Sequence, residues 1–170
     1  MPTFHIRPAT DAEFPAIGAL THAAYTHDYT DLPANYREEL KHPEALADAF
    51  AFFVAEDDVS GELLGTIAIL RPGQDMHGRI GPDELYFRLL ATHPEARGRG
   101  VGIALTEFAV EQAAARGARA VVLNSGPEMV GAHALYRKLG FSRRSEREGV
   151  VELPDGRSFV LLTFVRDLAA

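Results

Sequence analysis

The chain has 170 residues, 46% hydrophobic and 24% charged, with a net charge of −7 and no cysteine. That balance suits one compact globular domain over residues 1–170, and the acidic charge argues against a general nucleic-acid binder, whose phosphate contacts need a basic face. Lack of cysteine excludes disulfides, thiolate catalysis and zinc–thiolate sites.

The opening "MPTFHIRPATDAE" has neither a basic nor an apolar leader region, and no apolar run approaches the ~20 residues of a membrane span. A cytoplasmic protein with no membrane partner is expected. "TFHIRPA" (Thr3–Ala9) alternates as a short strand. A helix follows with Phe14, Ile17 and Leu20 on one face. Its start has two signals, a Thr10/Glu13 capping box and a first-turn Pro15. "PANYREELKHPEALADAF" (Pro33–Phe50) reads as one or two helical pieces broken near Pro43. "AFFVAED" (Ala51–Asp57) and "LLGTIAIL" (Leu63–Leu70) read as a hairpin turned at Gly61. Arg71–Glu84 is a loop dense in Gly and Pro, and "LYFRLLAT" (Leu85–Thr92) has the apolar character of a central strand.

A helix is expected from Val101 to about Arg116, stopped by Gly117. Ala118–Ser125 is a buried strand and Met129–Phe141 a short helix ending at Gly140. Two last strands, near Ser142–Glu152 and Arg157–Asp167, flank the turn at Pro154-Asp155-Gly156. A strand–helix–strand unit among antiparallel neighbours predicts an α/β (α+β) mixed sheet with helices on both faces.

"HPEARGRGVG" (His93–Gly102) places three glycines and two arginines between a strand and a helix. The first N–H groups of a helix have no intrahelical partner and carry partial positive charge. Glycines let successive N–H groups converge on an anion. The ligand is not that of a Walker A loop, because Ile103 follows Gly102 where Lys is required. Nor does the dinucleotide pattern fit, since the third glycine falls one position early.

The spacing Arg97-x-x-Gly100-x-Gly102 after an apolar strand resembles the acyl-CoA signature of the Gcn5-related N-acetyltransferase (GNAT) family. "ALYRKLGF" (Ala134–Phe141) is similar to that family's other recurrent segment, and the gap between the two is the usual helix plus strand. The resemblance covers Glu84–Phe141. It implies a single N-acetyltransferase domain whose mostly antiparallel sheet of about seven strands is flanked by helices and splayed at a central strand pair. Acetyl-CoA would be the co-substrate, with no metal, and the seven histidines form no ligand-like cluster.

Under that resemblance the coenzyme A pyrophosphate sits on the amides of Gly98, Arg99, Gly100, Val101, Gly102 and Ile103, with Arg97 and Arg99 near the phosphates. The pantetheine arm pairs with backbone groups of Leu90, Ala91 and Thr92, and an N–H near Leu90 polarises the thioester carbonyl. Tyr136, in the family's "LY" pair, is the candidate acid for the departing thiolate, with core packing as its other reading. For the base, the family position carrying a glutamate falls on Tyr86. Glu84, two residues earlier on the same strand face, is the substitute candidate, and Asp83 and Glu56 are weaker ones. Met129 stands where many relatives have asparagine, a contact Asn124 could replace. Arg137 and Lys138 are candidates for the 3′-phosphate.

The resemblance implies as acceptor a primary amine of a small molecule or peptide. Ala23–Pro33, with Tyr25, Asp28, Tyr29 and Asp31, and Arg71–Glu84 are expected to build its pocket, the first in a form suited to a cationic amine. His77 and His133 could line the acceptor site and are otherwise expected at the surface. A homodimer is expected by analogy with relatives. The alternative to an enzyme is a non-catalytic acyl-CoA-binding module, kept open by the tyrosine at position 86.

Overall fold

A computed structural model describes residues 3–76 and 78–169. His77 lies outside them. Among the described residues, eight strands and four helices alternate with short 3-10 turns: β1 (Phe4–Pro8), α1 (Phe14–Asp28), α2 (Ala34–Glu39), β2 (Phe50–Asp57), β3 (Leu63–Leu70), β4 (Glu84–Thr92), α3 (Val101–Ala115), β5 (Ala120–Ser125), α4 (Val130–Lys138), β6 (Ser142–Arg143), β7 (Gly149–Glu152) and β8 (Ser158–Asp167). The sheet order is β1-β2-β3-β4-β5-β8-β6, and β7 pairs with β8. All pairings are antiparallel except β4 with β5.

Two compact units share this path. The first comprises Met1–Gln74 and Phe87–Phe108. Both start signals of α1 are used in it. Thr10 and Glu13 close a capping box around a 3-10 turn, and Pro15 then occupies the first turn of the helix proper. Ile17, Phe50, Val54, Ile67, Phe87 and Leu105 are fully buried in its core. Gly65 sets how closely α3 approaches β3, for a Cβ there would lie 2.6 Å from Val101 Cγ1 and 2.9 Å from Leu105 Cδ1.

The second unit comprises Asp75–Tyr86 and Ala109–Ala170. Its strand β5 pairs in parallel with β4 over Glu84–Tyr86 and antiparallel with β8 along its whole length. The strand expected over Ser142–Glu152 is two short strands, β6 and β7, separated by a 3-10 turn at Ser145–Arg147. The Tyr136 ring packs 5.9 Å from both Phe141 and Phe164 in an aromatic cluster. Among the described residues no helix is long and apolar enough to cross a membrane.

Candidate functional site

In the first unit, the chain leaves β4 at Thr92, makes a 3-10 turn over Pro94–Ala96 and reaches α3 through Arg97–Gly100. Gly98 and Gly100 take φ of +82° and +79°, where any other residue is strained, and each faces open space on the side a Cβ would occupy. Ala104 donates to the Gly100 carbonyl at 3.0 Å. Among the described residues no acceptor is found for the N–H groups from Gly98 to Ile103. The loop therefore presents a row of open donors at a helix start, the arrangement expected of an anion cradle.

Its two arginines are bonded within the protein. Arg97 bonds Asp28 at 2.9 and 3.0 Å and the Thr92 carbonyl at 3.0 and 3.2 Å. Arg99 bonds Asp57 at 2.9 Å and Thr3 Oγ1 at 2.6 Å. Both guanidinium groups hold the loop to its neighbours, and each is partly neutralised. Two backbone N–H groups and Arg99 hold the Asp57 carboxyl down at about 2. At Asp28, burial pushes the carboxyl up, but the bonds from Arg97 and His27 outweigh it and leave it below the ordinary value. Asp28 is thus not a free anion waiting for an ammonium. Tyr25 stacks edge-on with Tyr29 at 5.9 Å and lies 6.3 Å from Tyr36. Burial, then the Asp28 charge, raises the Tyr29 hydroxyl to about 12.

Strand β4 carries a feature with no signature in the sequence. Leu89 has φ +56°, the only positive φ at a non-glycine position among the described residues. The β3–β4 register slips there, with Thr66 opposite Ala91 and Ala68 opposite Arg88. This is a β-bulge, which re-aims backbone groups of the bulged strand. It lies immediately before Leu90, Ala91 and Thr92. A leucine in this conformation has no composition cue that could have exposed it.

In the second unit, Glu84 opens β4 with its side chain enclosed. Its side chain is 3% exposed, and it accepts from both terminal nitrogens of Arg147 at 2.9 Å and from the Gly81 N–H at 2.7 Å. Arg147 holds its carboxyl below the usual range, against the opposing effect of burial. A carboxylate so held is a poor proton acceptor. Arg147 lies 63 residues further along the chain, with no spacing to announce the pair. The other carboxylates considered for the base are also paired, Asp83 with Arg119 at 2.8 Å and Glu56 with Arg7.

Tyr86 donates its hydroxyl to Asn124 Oδ1 at 3.1 Å, and Asn124 Nδ2 bonds Thr163 Oγ1 at 2.9 Å and the Leu162 carbonyl at 3.3 Å. Asn124 is a bridge between β5 and β8 as well as a wall residue of a cavity of about 170 Å³. Tyr136 is 6% exposed within its aromatic cluster. His133, expected at the surface, is buried at 4% exposure and bonds Ser125 Oγ at 3.1 Å and the Gly126 carbonyl at 2.9 Å. The ring packs 5.1 Å from Phe164. A histidine on the inward side of α4 has satisfied hydrogen bonds and an aromatic neighbour, so burial costs it little. Arg137 lies 5.9 Å over the Phe164 ring.

Comparison with known proteins adds the following. The model of the acetyltransferase (GNAT) family matches residues 14–141. A mycothiol acetyltransferase from Arthrobacter sp. is 38% identical over 94 residues, 55% of this chain but 28% of that protein, so the chain spans under a third of that relative. Glucosamine 6-phosphate N-acetyltransferase 1 from Oryza sativa is 30% identical over 117 residues, 68% of this chain and 67% of the relative. The fold of the Salmonella typhimurium protein yncA, solved with its cofactor acetyl-CoA, superposes with a TM-score of 0.68 at 20% identity, covering 98% of this chain and 95% of that one.

Proposed function

The chain belongs to the GNAT acetyltransferase family, and we propose that its residues 1–170 act as one N-acetyltransferase domain that moves an acetyl group from acetyl-CoA to a primary amine. The observation that carries this reading is the row of open N–H groups from Gly98 to Ile103, shaped by two positive-φ glycines with free space beside them. The residues fit the group. A pyrophosphate needs convergent backbone donors and no Cβ in its way, and this loop supplies both.

When bound, acetyl-CoA supplies an acetyl thioester. The amine nitrogen forms a bond to the carbonyl carbon, the carbon–sulfur bond breaks, the amine loses a proton and the thiolate takes one. In this reading Leu90, Ala91 and Thr92 offer backbone groups to the pantetheine arm. The bulge at Leu89 re-aims the Leu90 N–H towards the thioester oxygen. Tyr136 gives its proton to the departing sulfur. Arg97 and Arg99 act as positioning residues, fixing the loop through Asp28 and Asp57. Glu84 is also a positioning residue, since its bond to Arg147 leaves it little basicity. Deprotonation then falls to water, and a lysine-like amine, with a pKa of ~10.4, is only ~0.04% neutral at pH 7. Most of the acceleration comes from holding two substrates together.

One observation favours a second reading, a non-catalytic acyl-CoA-binding module. Glu84, Asp83 and Glu56, the carboxylates considered for the base, are all in ion pairs. Thiol release from acetyl-CoA in the presence of a panel of primary amines separates the two. Amine-dependent release supports the enzyme. Acetyl-CoA binding with no release on any amine supports the module.

A further inference from the structure

The cavity in the second unit is walled by Arg79, Asn124, Arg147, Glu148, Leu161 and Thr163. Its charges do not cancel. The lining residue Arg147 is neutralised by Glu84. Glu148, whose side chain is 4% exposed, is neutralised by Arg143 at 2.7 Å and also accepts from the Thr163 N–H at 3.0 Å. The Arg79 carbonyl accepts from Arg147 at 2.9 Å, which fixes the backbone at the cavity wall. No carboxylate among the described residues pairs with the Arg79 guanidinium. Arg79, an exposed residue of the cavity lining, adds a positive charge outside these pairs. The uncharged groups are almost fully committed too, because Asn124 bonds Tyr86, Leu162 and Thr163.

Such a site repels a bare ammonium and attracts an anion. Resting on the acetyltransferase reading, we infer that this cavity takes the acceptor, and that the acceptor is an amine carrying a carboxylate or phosphate, which Arg79 binds. At about 170 Å³ the cavity is below the ~300–1,000 Å³ of drug-sized pockets, so it suits a group of amino-acid size. Asn124 lies two residues past Val122, the last residue of β5 that pairs with β4.

The test uses matched pairs, β-alanine against β-alaninamide for the carboxylate and O-phosphoethanolamine against ethanolamine for the phosphate. Two readouts are taken with wild type, Arg79→Gln and Arg79→Lys. One is thiol release from acetyl-CoA. The other is saturation-transfer NMR of each amine with the protein alone, which needs no turnover. The anionic member of at least one pair is expected to be preferred by about tenfold or more, in KM rather than kcat. Arg79→Gln should erase the preference and Arg79→Lys should retain part of it, both with unchanged acetyl-CoA affinity. Equal binding of charged and neutral members, or a preference that survives Arg79→Gln, overturns the inference. If acetyl-CoA itself does not bind, the acetyltransferase reading fails, and the NMR comparison still decides whether the cavity selects anions.

Discussion

The loop over Arg97–Ile103 and the strand start at Glu84–Tyr86 both set arginine against carboxylate, with opposite results. At the loop the ion pairs are partly exposed, Arg97 at 39% and Asp28 at 30%, and they leave the backbone donors open. At the strand start the Glu84 carboxylate is enclosed, and the backbone around it is tied down by Gly81 and by the Arg147 bond to the Arg79 carbonyl. One region keeps its main chain available for a ligand and uses side chains as props. The other makes its side chains a fixed wall. A charged residue near a presumed site therefore says little about its role until its partner is known.

The largest effect should come from breaking the enclosed pair. Glu84→Ala leaves Arg147 without its partner and should lower stability by about 3 kcal/mol in chemical denaturation. Glu84→Gln with Arg147→Gln should recover part of that, giving a coupling energy in the double-mutant cycle. The pH dependence follows from the lowered Glu84 carboxyl. Its contribution is fully present above the unfolded value of ~4.3 and is lost as pH falls through the folded value. The Glu84→Gln variant should therefore show a flatter loss of stability in acid than wild type.

Tyr136→Phe keeps the ring within its cluster and removes only the hydroxyl. The expected result is a kcat lower by about a hundredfold with acetyl-CoA affinity unchanged. An unchanged kcat would make Tyr136 a packing residue.

These two cases also mark what the sequence could reveal. The loop was legible because glycines at fixed offsets between a strand and a helix have few other uses. Tyr136 stood out through its neighbours in "ALYRKLGF", and the aromatic cluster that holds it is the packing the same letters describe. Most element boundaries fell within a few residues, since Gly61, Gly117 and Gly156 punctuate them with positive φ. What could not be read depends on pairs distant along the chain. Arg147 reaches Glu84 across 63 residues, and Arg99 reaches Asp57 and Thr3 from the loop. The bulge at Leu89 arises from a slip in register against β3, which no local propensity records. His133 was misjudged because a lone histidine carries no sign of whether a carbonyl and an aromatic ring await it.

The smallest effect is expected at the props. Arg97→Gln removes the bond to Asp28 and should cost about 0.2–1 kcal/mol of stability, less at high salt. Acetyl-CoA affinity should fall by less than about tenfold, because the amides rather than the guanidinium hold the anion. A larger loss would move Arg97 from prop to ligand-binding residue and erase the contrast with the strand start.

The open backbone of the loop is the central claim, and calorimetric titration with acetyl-CoA tests it most directly. Wild type is run beside a folded Gly100→Val variant, with ATP as the control ligand. Gly100 sits at φ +79°, so valine must distort the row of donors. The account predicts one acetyl-CoA per chain, an affinity lower by about a hundredfold or more in the variant, and no comparable binding of ATP. Equal affinity in both proteins, or none in wild type, would contradict it.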